Sequence, residues 1–256
     1  MNIKQIIPAN HHLYRKEFQK DGNNFLNISE FFCNSIQGEG VYTGHPAAFL
    51  RLQGCNVGCN WCDTTNVWRY GTPWSFEELF KRMETVRLAR KLYYGQHLVI
   101  TGGSPLLQQD RLVNFLNHFQ SHFGFYPFTE IENECTIIPL PELISLINVW
   151  NNSPKLFNSG VLFKYRYNAV AIRTVAVLSD SWFKFVVDKE EDWHEIFANF
   201  IKPGLVSTKQ IILMPEGASR EQLDEKRDTV IMMAVRHKVR YSDRLQIVTW
   251  NKTVGV

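Results

Sequence analysis

The chain has 256 residues, 45% of them hydrophobic and 21% charged, with a formal net charge of +3. That is enough for one sizeable core or two small ones, with a single α/β domain the simpler arrangement, in a chain of ordinary globular composition. So small a charge does not point to a polyanion partner, no apolar run reaches the roughly 18 residues that span a bilayer, and the N-terminus lacks the pattern of a secretion signal. Five cysteines are an odd number, and three of them crowd into eight positions. This argues against a disulfide framework and for metal-bound thiolates in a reducing, cytoplasmic compartment.

Residues 1–27 are polar and aperiodic, and read as an irregular extension ahead of one domain over 28–256. A strand is expected at 47–52 (AAFLRL), running straight into the cysteine loop. A helix is expected over 75–93, with Phe76, Leu79, Phe80, Met83, Val86 and Leu92 on its apolar face and Ser75 as a possible cap. A strand at 97–101 ends in Gly102-Gly103, and Leu112, Phe115, Leu116, Phe119 and Phe123 trace a second helix. A strand at 128–132, a helix at 140–147 and a short strand at 148–150 follow. Residues 151–180 show no clear period and read as a long insertion or loop. Strands at 182–187 and 210–214 flank a helix at 190–200. Leu223, Val230, Ile231, Ala234 and Val235 mark the next helix, and residues 244–249 close the series.

Strand and helix alternate at least five times, which points to parallel βα units. A closed barrel needs about eight such units, and the count falls short, so the expected fold is α/β: a partial, incomplete βα barrel. Cys55, Gly102, Gly103, Ser153 and Pro215 all fall just after strands, the edge where α/β folds bind ligands.

The chemistry concentrates in GCNVGCNWCDT, where Cys55, Cys59 and Cys62 stand at x3 and x2 spacing. Thiolates bind soft metals, and Gly54 and Gly58 permit the turns that let three converge. Three ligands are one short of a closed zinc site or a fully ligated 4Fe–4S cluster, and an open iron is what chemistry at the metal requires. The bland alternative is a structural zinc knuckle completed by a distant residue. Cys33 and Cys135 stand alone, as buried small hydrophobes do, and no second cluster is expected.

C-x3-C-x2-C with Trp61 before the last cysteine is the signature of the radical S-adenosylmethionine superfamily. The flanking segments SIQGEGVYTGHPAAFLRLQGCN and CDT, with ITGGSPLLQ, EIENECT, NSPK, WFKFVV, ILMPEG and RLQIVTW, resemble the 7-carboxy-7-deazaguanine synthase family over residues 28–256. The resemblance implies a partial barrel of the radical S-adenosylmethionine type and a [4Fe-4S] cluster on Cys55, Cys59 and Cys62. It further implies S-adenosyl-L-methionine and Mg2+ as cofactors. The reaction implied turns 6-carboxy-5,6,7,8-tetrahydropterin into 7-carboxy-7-deazaguanine with loss of ammonia, in queuosine-type 7-deazapurine biosynthesis. A homodimer and a reductant such as flavodoxin come with it, and no direct nucleic-acid or membrane contact.

Residue by residue, Ile36, Gln37, Gly38 and Glu39 match the pterin-binding segment, where an amide and a carboxylate can pair with an aminopyrimidinone edge. Arg51 matches the substrate arginine, whose guanidinium suits the pterin carboxylate, and Thr101 matches a further pterin contact. Thr64 corresponds to the Mg2+ ligand. Trp61, Cys62, Asp63 and Gly103 match contacts to S-adenosylmethionine, as do Ser153, Pro154 and Lys155. Leu213, Met214, Pro215 and Glu216 match the strand end that faces its adenine. Val256 falls where the family places a substrate contact from the chain terminus.

The chain departs from the pattern at three places. Ser104 replaces the Glu of Gly-Gly-Glu near the cofactor amino group, which implies modestly weaker cofactor binding. Cys135 replaces a turn glycine. Gln246 replaces a His near the end of the last strand, leaving hydrogen bonding where that His could transfer a proton. A glycyl-radical activase shares the cysteine spacing, but it would not require Gln37, Glu39, Arg51 or Thr64.

Overall fold

A computed structural model describes residues 24–253 and residue 255. Nine strands among them form one sheet in the order β3-β1-β2-β4-β5-β6-β7-β8-β9. β2 (Pro46–Leu52), β4 (His97–Gly102), β5 (Thr129–Asn133), β6 (Val149–Asn152), β7 (Ser181–Val187), β8 (Ile211–Pro215) and β9 (Arg240–Tyr241) are parallel neighbours in that order. β1 (Phe25–Ile36) and β3 (Thr72–Ser75) extend the edge in antiparallel fashion. The sheet is open, which is the partial barrel expected from the strand count.

Period-two alternation decides what faces where. Leu50 and Leu52 on β2, Leu98 and Ile100 on β4, Ile131 on β5, Phe183 and Phe185 on β7, and Ile211 and Leu213 on β8 join the core under the helices. Burying each such side chain contributes about 1.5–3 kcal/mol. The intervening positions bring Arg51, Thr101, Glu130, Glu132, Asn151, Lys184 and Met214 to the other face, the inside of the barrel. That polar interior is the site.

The helices follow the sequence, with four corrections. Ser75 does cap α2 (Phe76–Thr85): its Oγ accepts from Glu78 N, and Glu78 Oε2 accepts from Ser75 N at 2.8 Å. The expected single helix over 75–93 is two, because Arg87 takes a left-handed φ of 55° before α3 (Leu88–Tyr93). The break turns Leu88 and Leu92 into the core and leaves Val86 exposed. Residues 151–180 are not a loop: Asn151 and Asn152 end β6, and α6 (Phe163–Arg166) and α7 (Ala169–Ala176) follow. Asn168 caps α7 by accepting from the Val170 and Ala171 amides, and Ala171, Ile172 and Val175 are buried.

On α9 (Arg220–His237), Met233 is buried and Val235, expected on the apolar face, is exposed. Finally, residues 244–249 do not form a strand. Arg244 stands just before, and residues 245–249 belong to, α10 (Leu245–Trp250), whose first residue donates its amide to Gly38 O at 2.9 Å, docking the turn against the Gln37–Glu39 segment.

Regular structure starts inside the stretch expected as an irregular extension. Residues 1–23 lie outside the described residues, and β1 already begins at Phe25. β1 was missed because its side chains (FLNISEFFCNSI) are mostly half-buried and its alternation is interrupted by register shifts against β2. The remaining helices are α1 (Thr65–Trp68), α4 (Gln109–Phe123), α5 (Pro141–Leu146) and α8 (Glu190–Ile196). No described helix is long and apolar enough to cross a membrane.

Candidate active site

The cysteine loop leaves the end of β2 and is held by its glycines. Gly54 and Gly58 have φ of 98° and 75°, a left-handed backbone that side-chain-bearing residues rarely adopt. A Cβ on Gly103 would overlap Cys55 Cβ and the Gly54 carbonyl, so only glycine lets the end of β4 pack this closely on the loop. The Ser104 amide then donates to Gly54 O at 2.9 Å.

All five cysteines are free, and Cys55, Cys59 and Cys62 are half-buried. Val57 N donates to Cys55 Sγ at 3.4 Å, Trp68 Nε1 donates to Cys62 Sγ at 3.4 Å, and Thr64 Oγ1 lies 3.7 Å from Cys62 Sγ. Burial pushes the Cys55 thiol up. Cys59 is pushed up to about 12 by burial, with the Cys55 and Cys62 thiols adding to it and Lys155 opposing. Thiols that resist ionising alone become thiolates when a metal supplies the countercharge. Among the described residues no three His, Cys, Asp or Glu side chains are already gathered at metal-ligand distance. Cys33 and Cys135 pack with the helix-side core.

Facing the loop across a cleft of about 480 Å³ is a buried ionic network. Lys184 Nζ, from the middle of β7, lies 2.8 Å from both Glu39 Oε2 and Glu132 Oε2. Glu39 Oε1 also accepts from Arg244 Nε at 3.1 Å and Gln246 Nε2 at 2.7 Å. Arg244 Nη2 reaches Asp63 Oδ2 at 2.5 Å. Burial alone would raise the Glu39 carboxyl, but Lys184 and Arg244 outweigh it and hold Glu39 well below the usual carboxylate range.

For Glu132 the balance is reversed. Burial, with Glu39 and Glu130 nearby, outweighs Lys184 and raises it. Lys184 is raised in its turn, because the two carboxylates overcome its burial. Below this layer, Glu130 is fully buried and accepts from Gln37 Nε2 at 3.0 Å and Asn151 Nδ2 at 2.7 Å, with His97 Nδ1 at 2.7 Å. Gln37 is therefore fixed from beneath.

The cleft brings together Ile36, Gln37, Gly38, Glu39, Arg51, Cys55, Cys59, Trp61, Cys62, Asp63, Thr64, Thr101, Gly103, Ser153, Lys155, Met214 and Gln246. Arg51 Nε donates to Glu30 Oε2 at 2.7 Å, which leaves its terminal nitrogens for a ligand. A Cβ on Gly38 would overlap the Gln246 amide, so the loop and α10 meet at a glycine.

Five expected residues do not line the cleft. Ser104 is buried and donates its hydroxyl to Asn56 Oδ1 at 2.5 Å. Leu213 faces the helix-side core by strand alternation, and Pro154 and Pro215 are buried behind the surface. Glu216 is ion-paired with Lys226. Val256 lies outside the described residues. Gln246 sits on a helix rather than at a strand end.

Lys184, Arg244, Glu130 and Glu134 went unnoticed in the sequence. The signal for Lys184 was a lysine between Phe183 and Phe185 in an otherwise apolar strand, where period two aims it into the barrel. Arg244 carried no signal of its own, since it pairs with residues 181 and 205 positions away.

The donor set fits an iron–sulfur cluster with an exchangeable ligand: three thiols from one loop, with no fourth among them. The cleft also fits a polar ligand, because Trp61, Glu134 and Gln246 line it and their buried Nε1, Oε2 and Oε1 have no hydrogen-bond partner among the described residues. Residues 36–135 match a family model described as a 4Fe-4S single cluster domain. A 7-carboxy-7-deazaguanine synthase from Pyrobaculum aerophilum is 33% identical over 90% of this chain and 97% of its own. Another from Halobacterium salinarum is 30% identical over 88% of this chain and 91% of its own. The crystal structure of QueE from Escherichia coli shares the fold, with a TM-score of 0.63 at 24% identity over 92% of this chain and 99% of that one.

Proposed function

The chain belongs to the 7-carboxy-7-deazaguanine synthase family, and from that premise we propose how its cleft holds a pterin against the cysteine loop. The enzyme is a radical S-adenosylmethionine lyase of queuosine-type 7-deazapurine biosynthesis. It converts 6-carboxy-5,6,7,8-tetrahydropterin to 7-carboxy-7-deazaguanine and ammonia. The cluster and S-adenosylmethionine, when bound, supply the carbon-centred radical chemistry that opens this ring contraction.

Cys55, Cys59 and Cys62 hold the cluster. Arg51 turns its free terminal nitrogens to the pterin carboxylate, while its Nε stays on Glu30. Gln37, held from beneath by Glu130, and Glu39 address the aminopyrimidinone edge, with Thr101 beside them. Three of the roughly four acceptor sites of Glu39 are taken by Lys184, Arg244 and Gln246, so its charge is fixed and one site remains for a substrate N–H.

Trp61, Asp63, Gly103, Ser153, Lys155 and Met214 line the side of the cleft that would take S-adenosylmethionine. Thr64 would offer its hydroxyl oxygen to Mg2+, whose charge would help to hold the pterin carboxylate. The observation that carries this reading is the ionic chain Lys184–Glu39–Arg244–Asp63. It ties the pterin segment to the residue after Cys62 within one cleft.

A homodimer, a flavodoxin-type reductant and a cytoplasmic location accompany the reading. Five unpaired thiols support the reducing compartment. Anaerobic incubation of reconstituted protein with S-adenosylmethionine, reductant and the pterin tests the proposal. Mass spectrometry should find the deazapurine acid, and 5′-deoxyadenosine formed without it would overturn the reading.

A further inference from the structure

Glu134, one residue past β5, is 4% exposed and lines the cleft. Its Oε1 accepts from Thr136 Oγ1 at 2.8 Å, and that oxygen accepts from Asn56 Nδ2 at 2.8 Å. Asn56 follows Cys55, and its Oδ1 accepts from Ser104 Oγ at 2.5 Å. One oxygen of Glu134 is thereby fixed through a chain of side chains rooted in the cysteine loop. The other, Oε2, is buried with no partner among the described residues.

Burying a carboxylate oxygen without a donor is costly, and an unpartnered acceptor on a residue that lines a cleft is placed for a ligand donor. Lys155 does not fill the role: its Nζ donates to Ser153 Oγ at 2.8 Å and sits 5.7 Å from the Trp61 ring centroid. Ser104 is equally unavailable. Its Oγ already accepts from the Asn56 backbone amide at 3.2 Å, and the residue is 1% exposed and does not line the cleft.

We infer that Glu134 receives the α-ammonium of the S-adenosylmethionine methionine moiety, the contact that Ser104 cannot make. The ammonium supplies the donors that Oε2 lacks, and a charge-assisted bond in a closed cleft is among the stronger polar contacts available. Thr136 and Asn56 act as positioning residues for it. The sequence pattern hides the exchange: the carboxylate missing after Gly103 is returned 30 positions later, from the neighbouring strand end. This rests on the proposed reading only in taking S-adenosylmethionine as the cofactor.

The test is anaerobic calorimetry on cluster-loaded protein with two probes: S-adenosylhomocysteine, and its analogue lacking the α-amino group. Glu134→Gln should weaken S-adenosylhomocysteine by about tenfold or more, while the amine-free analogue binds both proteins within about twofold. Thr136→Val should produce a smaller loss confined to the amine-bearing probe. Equal losses for both probes, or no loss for either, would overturn the inference. Should Glu134→Gln fail to hold its cluster, Glu134→Asp reads the same way, with an intermediate loss for the amine-bearing probe alone. Wild-type protein that binds neither probe would instead sink the cofactor reading on which the inference stands.

Discussion

Arg244 Nη2 lies 2.5 Å from Asp63 Oδ2, joining the turn before the last helix to the residue that follows the third cysteine. The same guanidinium gives Nε to Glu39 and Nη1 to Gly217 O at 2.5 Å. One planar fork thus holds the pterin segment, the cluster loop and the connection after β8 in a fixed relation. Arg244 is buried, and Asp63 and Glu39 outweigh that burial to keep it charged.

Arg244→Ala should therefore leave Glu39 and Asp63 short of a counter-charge and cost about 3–5 kcal/mol in a urea titration. Arg244→Lys should recover little, because an ammonium cannot serve three directed acceptors as a fork does. Cluster content measured on the same samples would show whether the loop has loosened. A Lys variant with wild-type stability would contradict the bridging role.

The pH dependence of stability separates the two carboxylates on Lys184. Glu39 is held below its usual value of 4.5, so its contribution is present above that pH and is lost as pH falls through its folded value. Glu132 is raised from 4.5, so the folded state takes up its proton more readily and gains stability as pH falls through its folded value toward 4.5, above the window in which Glu39 loses its contribution. Glu39→Gln should flatten the acid limb of a stability–pH curve, and Glu132→Gln should steepen it. Lys184, raised above 10.5, contributes fully below that pH and loses its contribution only as pH rises through its folded value. Denaturant midpoints from about pH 3 to pH 7 check the acid signs. The same slope in both variants would refute the assignment.

Gly103→Ala forces a Cβ into Cys55 and the Gly54 carbonyl. Overpacking of this kind costs typically about 1–3 kcal/mol, and here it should displace the loop. Iron and sulfide content after reconstitution should drop well below wild type, with far-ultraviolet dichroism unchanged. Full cluster loading would show that the close approach of β4 is not needed.

Trp68 Nε1 donates to Cys62 Sγ at 3.4 Å from a buried ring. Hydrogen bonds to cluster sulfurs raise a cluster's potential by stabilising the extra charge of the reduced form. Trp68→Phe keeps most of the packing and removes the donor, so an EPR-monitored redox titration should find a more negative midpoint. An unchanged midpoint would mean that the bond is not made to a ligating sulfur.

Much of this was legible because local chemistry carried it. The x3 and x2 cysteine spacing, the glycines at 54 and 103, and the strong apolar runs of β4, β7 and β8 each report on themselves. What failed was non-local or weakly periodic. Half-burial blurs the alternation of β1, and the helix at Ala169–Ala176 is too short for its period to register. The last helix was mistaken for part of the strand series because Ile247 is its one buried residue and Val248 and Thr249 favour strands. At the site, the cysteines, Gln37 and Arg51 stand out by motif, and the fold gathers them in one cleft. Lys184 was visible as a charge among phenylalanines, while Arg244 and Glu134 matter only through partners that the fold brings to them.

The most direct measurement is the simultaneous quantification of deazapurine and ammonia in one anaerobic reaction with the cluster-loaded enzyme and 6-carboxy-5,6,7,8-tetrahydropterin. The expected result is 7-carboxy-7-deazaguanine and ammonia rising together in equal amounts, both abolished by omitting S-adenosylmethionine. Accumulation of 5′-deoxyadenosine with neither product would contradict the assignment of this cleft to the pterin.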